Sequence, residues 1–173
     1  MKKHKAIAIP VCLSSGTPTF LTVKDKRFKE WIFVTGGCNN REIFHPLRCA
    51  IRELEEETRG VVVLRHGEYT SFSFTVKESY SVVSEYTVFI LFVNYTRSEQ
   101  AELVQRFNDE KHKMRTKQIR MKRTYDENDF MSFDTLSEFN ARKRWDMIIN
   151  NVLMNPEFYT CVSSLNRKKF IIK

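Results

Sequence analysis

Residues 48–60 read RCAIRELEEETRG, and their spacing decides how the rest of the chain is understood. Leu47, Ala50, Ile51, Leu54 and Thr58 recur at helical period on one side, Pro46 suits a first helical turn, and Gly60 is placed as a stop. On that helix Glu53, Glu56 and Glu57 stand at i, i+3 and i+4, so their carboxylates converge while Ile51 and Leu54 face a core. Glu55 lies on another side, where solvent suffices. Arg52 can pair with a neighbouring carboxylate and fix its rotamer. Three crowded carboxylates repel one another, and hard cations such as Mg²⁺ favour oxygen clusters of this kind. The residues alone leave two readings open: a solvated charged face, or a helix that binds metal.

Working outward, AIAIPVCL (6–13), the turn SSGTP and TFLTVKD (19–25) predict a hairpin. WIFVT (31–35) is a further short strand, and Gly36 and Gly37 after it predict a tight turn before the loop CNNREIFHP. Downstream of the helix, VVVL, YTSFSFTV and EYTVFILFVNYT read as extended structure. Thr96 with Glu99 three residues on has capping-box spacing and opens a second helix. A basic helical insertion is expected near 97–123, then a strand at DFMSFD and one amphipathic C-terminal helix near 135–155, ended by Pro156. This order predicts a single α+β domain over residues 1–173, a sandwich of helices on a mixed sheet rather than regular βαβ winding.

The succession WIFVTGG, loop, Ala50, RELEEET resembles the Nudix hydrolase signature, a Gly-Gly pair followed by a helix reading R-E-apolar-x-E-E. The matching residues are Gly36, Gly37, Arg52, Glu53, Leu54, Glu56 and Glu57. Two positions depart from it. Arg59 stands where the family has glycine, with Gly60 one step late. Phe44 stands where the family has a buttressing glutamate, with Glu42 out of register nearby. The resemblance implies an α/β/α sandwich and hydrolysis of a diphosphate linkage by water activated on Mg²⁺ or Mn²⁺. It implies Glu53, Glu56 and Glu57 as carboxylate ligands and the Gly37 carbonyl as a backbone ligand. Arg52 would be the orienting residue, and Glu127 the best-placed later glutamate, with Glu85 next.

Substrate class has to come from residues outside the signature. Of a net charge of +8, the segment KHKMRTKQIRMKR supplies +7 through Lys111, Lys113, Arg115, Lys117, Arg120, Lys122 and Arg123. A solubility role is one account of it; a grip on a long polyanion such as RNA is the other. The loosely conforming first half of the motif, the basic insertion and the long terminal helix together resemble the virus-encoded mRNA-decapping branch of the family, which implies capped RNA as the substrate. Phe28, Trp31, Phe72, Phe74, Tyr80 and Tyr86 are the aromatic candidates to hold a methylated guanine. The alternatives are hydrolysis of diphosphoinositol or nucleoside polyphosphates, and a catalytically silent RNA-binding module. Four scattered cysteines without a CxxC pair, and no long apolar run, predict a cytoplasmic protein without a membrane span.

Overall fold

The computed structural model describes residues 1–173. Eight strands and five α-helices alternate along it: β1 (Lys2–Cys12), β2 (Thr19–Asp25), β3 (Trp31–Ile32), β4 (Val34–Gly37), α1 (Pro46–Glu57), β5 (His66–Lys77), β6 (Val83–Phe92), α2 (Arg97–Arg115), β7 (Asn128–Asp134), α3 (Leu136–Asn140), α4 (Asp146–Leu153), α5 (Pro156–Ser163) and β8 (Lys168–Ile171). The sheet runs β3-β2-β1-β6-β5-β8, with β4 also on β1 and β7 on β2. The β1–β6 pair is parallel and its neighbours are antiparallel, so the sheet is mixed. β1 is central and buried on both faces from Ala6 to Cys12, which is why its sequence shows a run of apolar residues instead of alternation.

The two faces are covered by different helices. The Thr70 hydroxyl on β5 donates to the Cys161 carbonyl of α5 at 2.8 Å. Tyr69 and Ser71, which point the other way, line a cavity with His45, Pro46 and Leu47 at the start of α1. One cluster of 36 buried apolar residues fills the space between the layers. α1 contributes Ile51 and Leu54 to it, and burying a side chain of this kind stabilises by about 1.5–3 kcal/mol.

Several elements differ from the expectations above. Gly36 and Gly37 are not a turn but the end of β4, paired with Ala6 and Lys5 of β1. The VVVL segment forms no strand; Val61 and Val62 are buried directly after α1, with the Val62 N–H on the Thr58 hydroxyl. α2 begins with the expected capping box but ends at Arg115, and Lys117 takes φ +60°. Residues 116–122 are therefore not helical: repeated cations without acidic partners one turn away do not support helix. The expected helix over 135–155 is divided into α3 and α4. Trp31 on β3 interrupts it, accepting from the Trp145 N–H at 3.0 Å and donating to the Lys143 carbonyl at 2.8 Å. Pro156 does not end a helix but opens α5, which Asn155 caps, and β8 pairs with β5 where no strand was expected. No helix is long and apolar enough to cross a membrane.

Candidate active site

α1 lies against β1 and β4 so that its acidic face looks along the end of β4. Glu53 is pressed against the backbone there. A Cβ on Gly36 would lie 1.9 Å from the Glu53 carboxyl carbon, so Gly36 is required for close approach. Arg52 stands beside it with its guanidinium fully engaged. Nε and Nη2 donate to the two oxygens of Glu42 at 2.8 and 2.9 Å, and Nη2 also to the Gly37 carbonyl at 3.0 Å. Nη1 reaches Glu53 at 2.9 Å and Glu56 at 3.4 Å. Glu42, set aside by motif register, is thus the buttress of the helix. Its own position is fixed by the Asn39 N–H at 3.0 Å. Burial raises the Glu42 carboxyl pKa, but the Arg52 hydrogen bonds and the Asn39 N–H outweigh it and hold it below the ordinary value.

The other carboxylates shift the opposite way. Burial, then the charge of Glu56, pushes Glu53 up to about 7 against the pull of Arg52. Glu57 is raised well above its ordinary value by burial and by the charges of Glu53 and Glu127. Glu127, in the loop between a 3-10 turn (Arg123–Tyr125) and β7, is raised by burial and by Glu56 and Asp25. Three carboxylates raised by burial and by neighbouring negative charge, with Glu56 among those neighbours, are a set that a divalent cation would relieve, and their chemistry fits Mg²⁺ or Mn²⁺. As they stand, no three acidic, histidine or cysteine side chains enclose a cation-sized position, and Glu53 and Glu56 both lie on Arg52 Nη1, at 2.9 and 3.4 Å.

A cavity of about 440 Å³ opens beside Glu57 and Glu127. Its walls carry Asp25, Glu30 and Asn128, and the rings of Phe28 and Trp145. Of the aromatic candidates, Phe28 alone lines it. Trp31 is buried beneath the Arg142 guanidinium, 3.8 Å from its ring. Phe72 and Tyr86 are in the core, Phe74 stacks on Tyr86, and Tyr80 is 98 % exposed elsewhere on the surface. Glu85, on β6, is paired with Lys2 of β1, outside this cavity. Asp25, Asn128 and Trp145 come from segments far apart in sequence. The one local signal was Asp25, whose carboxylate accepts the N–H groups of Arg27 and Phe28 at 2.7 Å, as an aspartate opening a turn does.

A second cleft of about 660 Å³ shares Asp25, Phe28 and Glu127 with the first. Lys26, Arg27, Lys122 and Arg123 line it with Met114, Met121 and Asp126. The rest of the basic segment is disposed differently. Lys111 and Arg115 turn towards Asp129, at 3.7 and 3.9 Å, and Lys113 pairs with Glu110 at 3.3 Å. Lys117 and Arg120 are exposed and outside the cleft lining.

A family model described as NUDIX domain matches residues 2–142. None of the curated proteins matches the sequence. Among solved structures, a Nudix hydrolase from M. smegmatis, RenU, superposes with TM-score 0.63 at 12% identity, covering 96% of this chain and 92% of that one. The NUDIX domain of Shewanella oneidensis NrtR, complexed with ADP ribose, gives 0.54 at 10% identity over 86% and 83%. A C. elegans Ap4A hydrolase gives 0.51 at 11% identity over 92% of both chains. At these identities the likeness is one of fold.

Proposed function

We propose that this chain, a diphosphate hydrolase belonging to the NUDIX family, removes the cap from messenger RNA and releases 7-methylguanosine diphosphate. The observation that carries the reading is the continuity of two unlike cavities at Glu127. One is aromatic and acidic, suited to a flat cationic base: its rings can stack on the guanine, and the carboxylates of Asp25 and Glu30 can accept from the guanine N–H groups. The other carries four cations beside Asp25, Asp126 and Glu127, and its Arg27, Lys122 and Arg123 suit the phosphates of the RNA that follows. The diphosphate between them falls beside α1.

Glu53, Glu56 and Glu57 are the residues that would hold Mg²⁺ or Mn²⁺, with Glu127 and the Gly37 carbonyl in support. A divalent ion held there supplies neutralisation of phosphoryl charge and a bound water of lowered pKa. Arg52 orients Glu53 and Glu56 and, through Glu42, ties them to the loop before α1. In the same reading residues 1–173 work as one catalytic domain of the type found in the virus-encoded decapping branch, acting on RNA in the cytoplasm. Lys122 and Arg123, joined by Arg27, take the RNA contact. Lys111, Lys113 and Arg115 contribute charge at longer range, as do Lys117 and Arg120.

Free nucleoside polyphosphates are the second reading, supported by the aromatic cavity considered alone. A substrate panel separates the two. Given Mn²⁺ with cap-labelled RNA, nucleoside polyphosphates and inositol pyrophosphates in parallel, the protein is expected to release 7-methylguanosine diphosphate from the RNA. Turnover of the small substrates without cap release would replace decapping by the second reading or by an inositol pyrophosphate activity.

A further inference from the structure

Arg59 is 1 % exposed, two residues beyond the end of α1, and its backbone has φ +56°, followed by Gly60 at +74°. An arginine seldom adopts this left-handed conformation, which glycine takes without cost. Its side chain does not reach solvent. Nη2 donates to Asp126 Oδ1 at 3.0 Å and to the Asn128 carbonyl at 2.5 Å, while the guanidinium lies 4.2 Å from the Phe107 ring of α2. Nε and Nη1 are buried without a partner. A residue serving only to end the helix would be better as glycine on both counts, strain and unpaired nitrogens. What the arginine adds is its grip on the two residues that flank Glu127.

Those flanking residues are tied into the site from other directions too. The Asn128 amide donates to Glu57, at 3.2 Å to its carbonyl and 3.4 Å to Oε2. Lys26 pairs with Asp126 at 2.9 Å, and its N–H donates to the Glu127 carbonyl at 2.9 Å. We propose that Arg59 is a positioning residue: by holding Asp126 and Asn128 from the end of α1, it fixes Glu127 beside Glu57 as a further carboxylate for the divalent cation. This rests on the reading that the α1 carboxylates hold that cation.

The test is a titration with Mn²⁺ alone, following loss of the free-ion electron paramagnetic resonance signal. Wild type, Arg59→Gly, Arg59→Lys, Glu127→Gln and the double variant Arg59→Gly/Glu127→Gln would be compared. Arg59→Gly and Glu127→Gln are each expected to weaken Mn²⁺ binding by about tenfold, within the range for residues that orient metal ligands. The double variant should bind no more weakly than Glu127→Gln, because the two changes remove one interaction. About 10 mM guanidinium should restore binding to Arg59→Gly but not to the double variant, and Arg59→Lys should fall between wild type and Arg59→Gly.

Fully additive losses, or unchanged binding in Arg59→Gly, would overturn the proposal and leave Arg59 a structural residue. Unchanged binding in Glu127→Gln would also overturn it, while loss of binding in Glu56→Gln would show the α1 reading still standing. If circular dichroism shows Arg59→Gly unfolded, Asp126→Asn at the half-exposed acceptor makes the same comparison with Glu127→Gln.

Discussion

Glu42 and Arg52, ten residues apart, meet in a two-pronged ion pair with N–O distances of 2.8 and 2.9 Å, and through it the loop before α1 orients the acidic face of the helix. Removing Arg52 takes the guanidinium from the buried Glu42 carboxylate, whereas removing Glu42 leaves Arg52 only Glu53, Glu56 and the Gly37 carbonyl. Glu42→Ala is expected to cost about 1–3 kcal/mol, read as a lowered urea midpoint, and to weaken Mn²⁺ binding because Arg52 is released onto Glu53 and Glu56. Arg52→Lys should reproduce the metal defect, since an ammonium cannot serve Glu42 as a fork. Unchanged Mn²⁺ affinity in both variants would remove Arg52 from its orienting role.

Gly36→Ala separates site from fold. Its φ is not in the left-handed region, and the atoms nearest the added methyl would be those of the Glu53 carboxyl group, the far end of a side chain rather than backbone. Stability should change by no more than about 1 kcal/mol. Turnover should fall about 10- to 100-fold, because Glu53 has to leave its place beside β4. A variant as active as wild type would show that Glu53 does not act from its present position.

The raised carboxylates give a pH dependence with a definite sign. Glu53 has a folded-state pKa of about 7, above its ordinary value near 4.5, so the native state binds more protons between those limits. The stability it contributes is present at low pH and is lost as pH rises through that window; Glu57 acts in the same direction. Glu42 acts oppositely, its contribution being lost only as pH falls through its lowered value. Without divalent cations, wild type measured against Glu53→Gln should therefore lose about 2–3 kcal/mol of relative stability between pH 4.5 and 7.5. Added Mg²⁺ should restore stability at pH 7.5 in wild type. A flat difference across this range would mean that Glu53 titrates normally.

The basic residues of the cleft beside Glu127 carry a prediction about salt. Changing Arg27, Lys122 and Arg123 to alanine should weaken RNA binding and reduce the slope of log K against log salt by about two, at roughly 0.7 per single-strand phosphate contact. Lys113→Ala, already paired with Glu110, should leave the slope nearly unchanged. Equal effects from both changes would return the basic segment to a diffuse role in solubility.

What was legible in the sequence follows from what is local. The period of Leu47 to Thr58 and the i, i+3, i+4 spacing of Glu53, Glu56 and Glu57 are properties of one helix, and α1 forms where they place it. The Thr96–Glu99 capping box is equally local and equally evident in the structure. Long-range contacts were not legible. Glu42 reaches Arg52 only because the Asn39–His45 loop folds back, and motif register pointed to Phe44 instead, which is exposed. Trp145 enters the site because its backbone pairs with Trp31, a contact across more than a hundred residues that also breaks an apparently continuous helix. Gly36 looked like a turn because glycine serves both turns and close approach, and only the position of Glu53 distinguishes them.

The central claim is that the α1 carboxylates drive cleavage of the cap diphosphate. Its most direct test is the Mn²⁺-dependent rate of 7-methylguanosine diphosphate release from cap-labelled RNA by wild type and by Glu56→Gln, with folding of both checked by circular dichroism. The account predicts release by wild type and a rate at least about 100-fold lower in the variant, with its fold unchanged. Equal rates in the two proteins would contradict it.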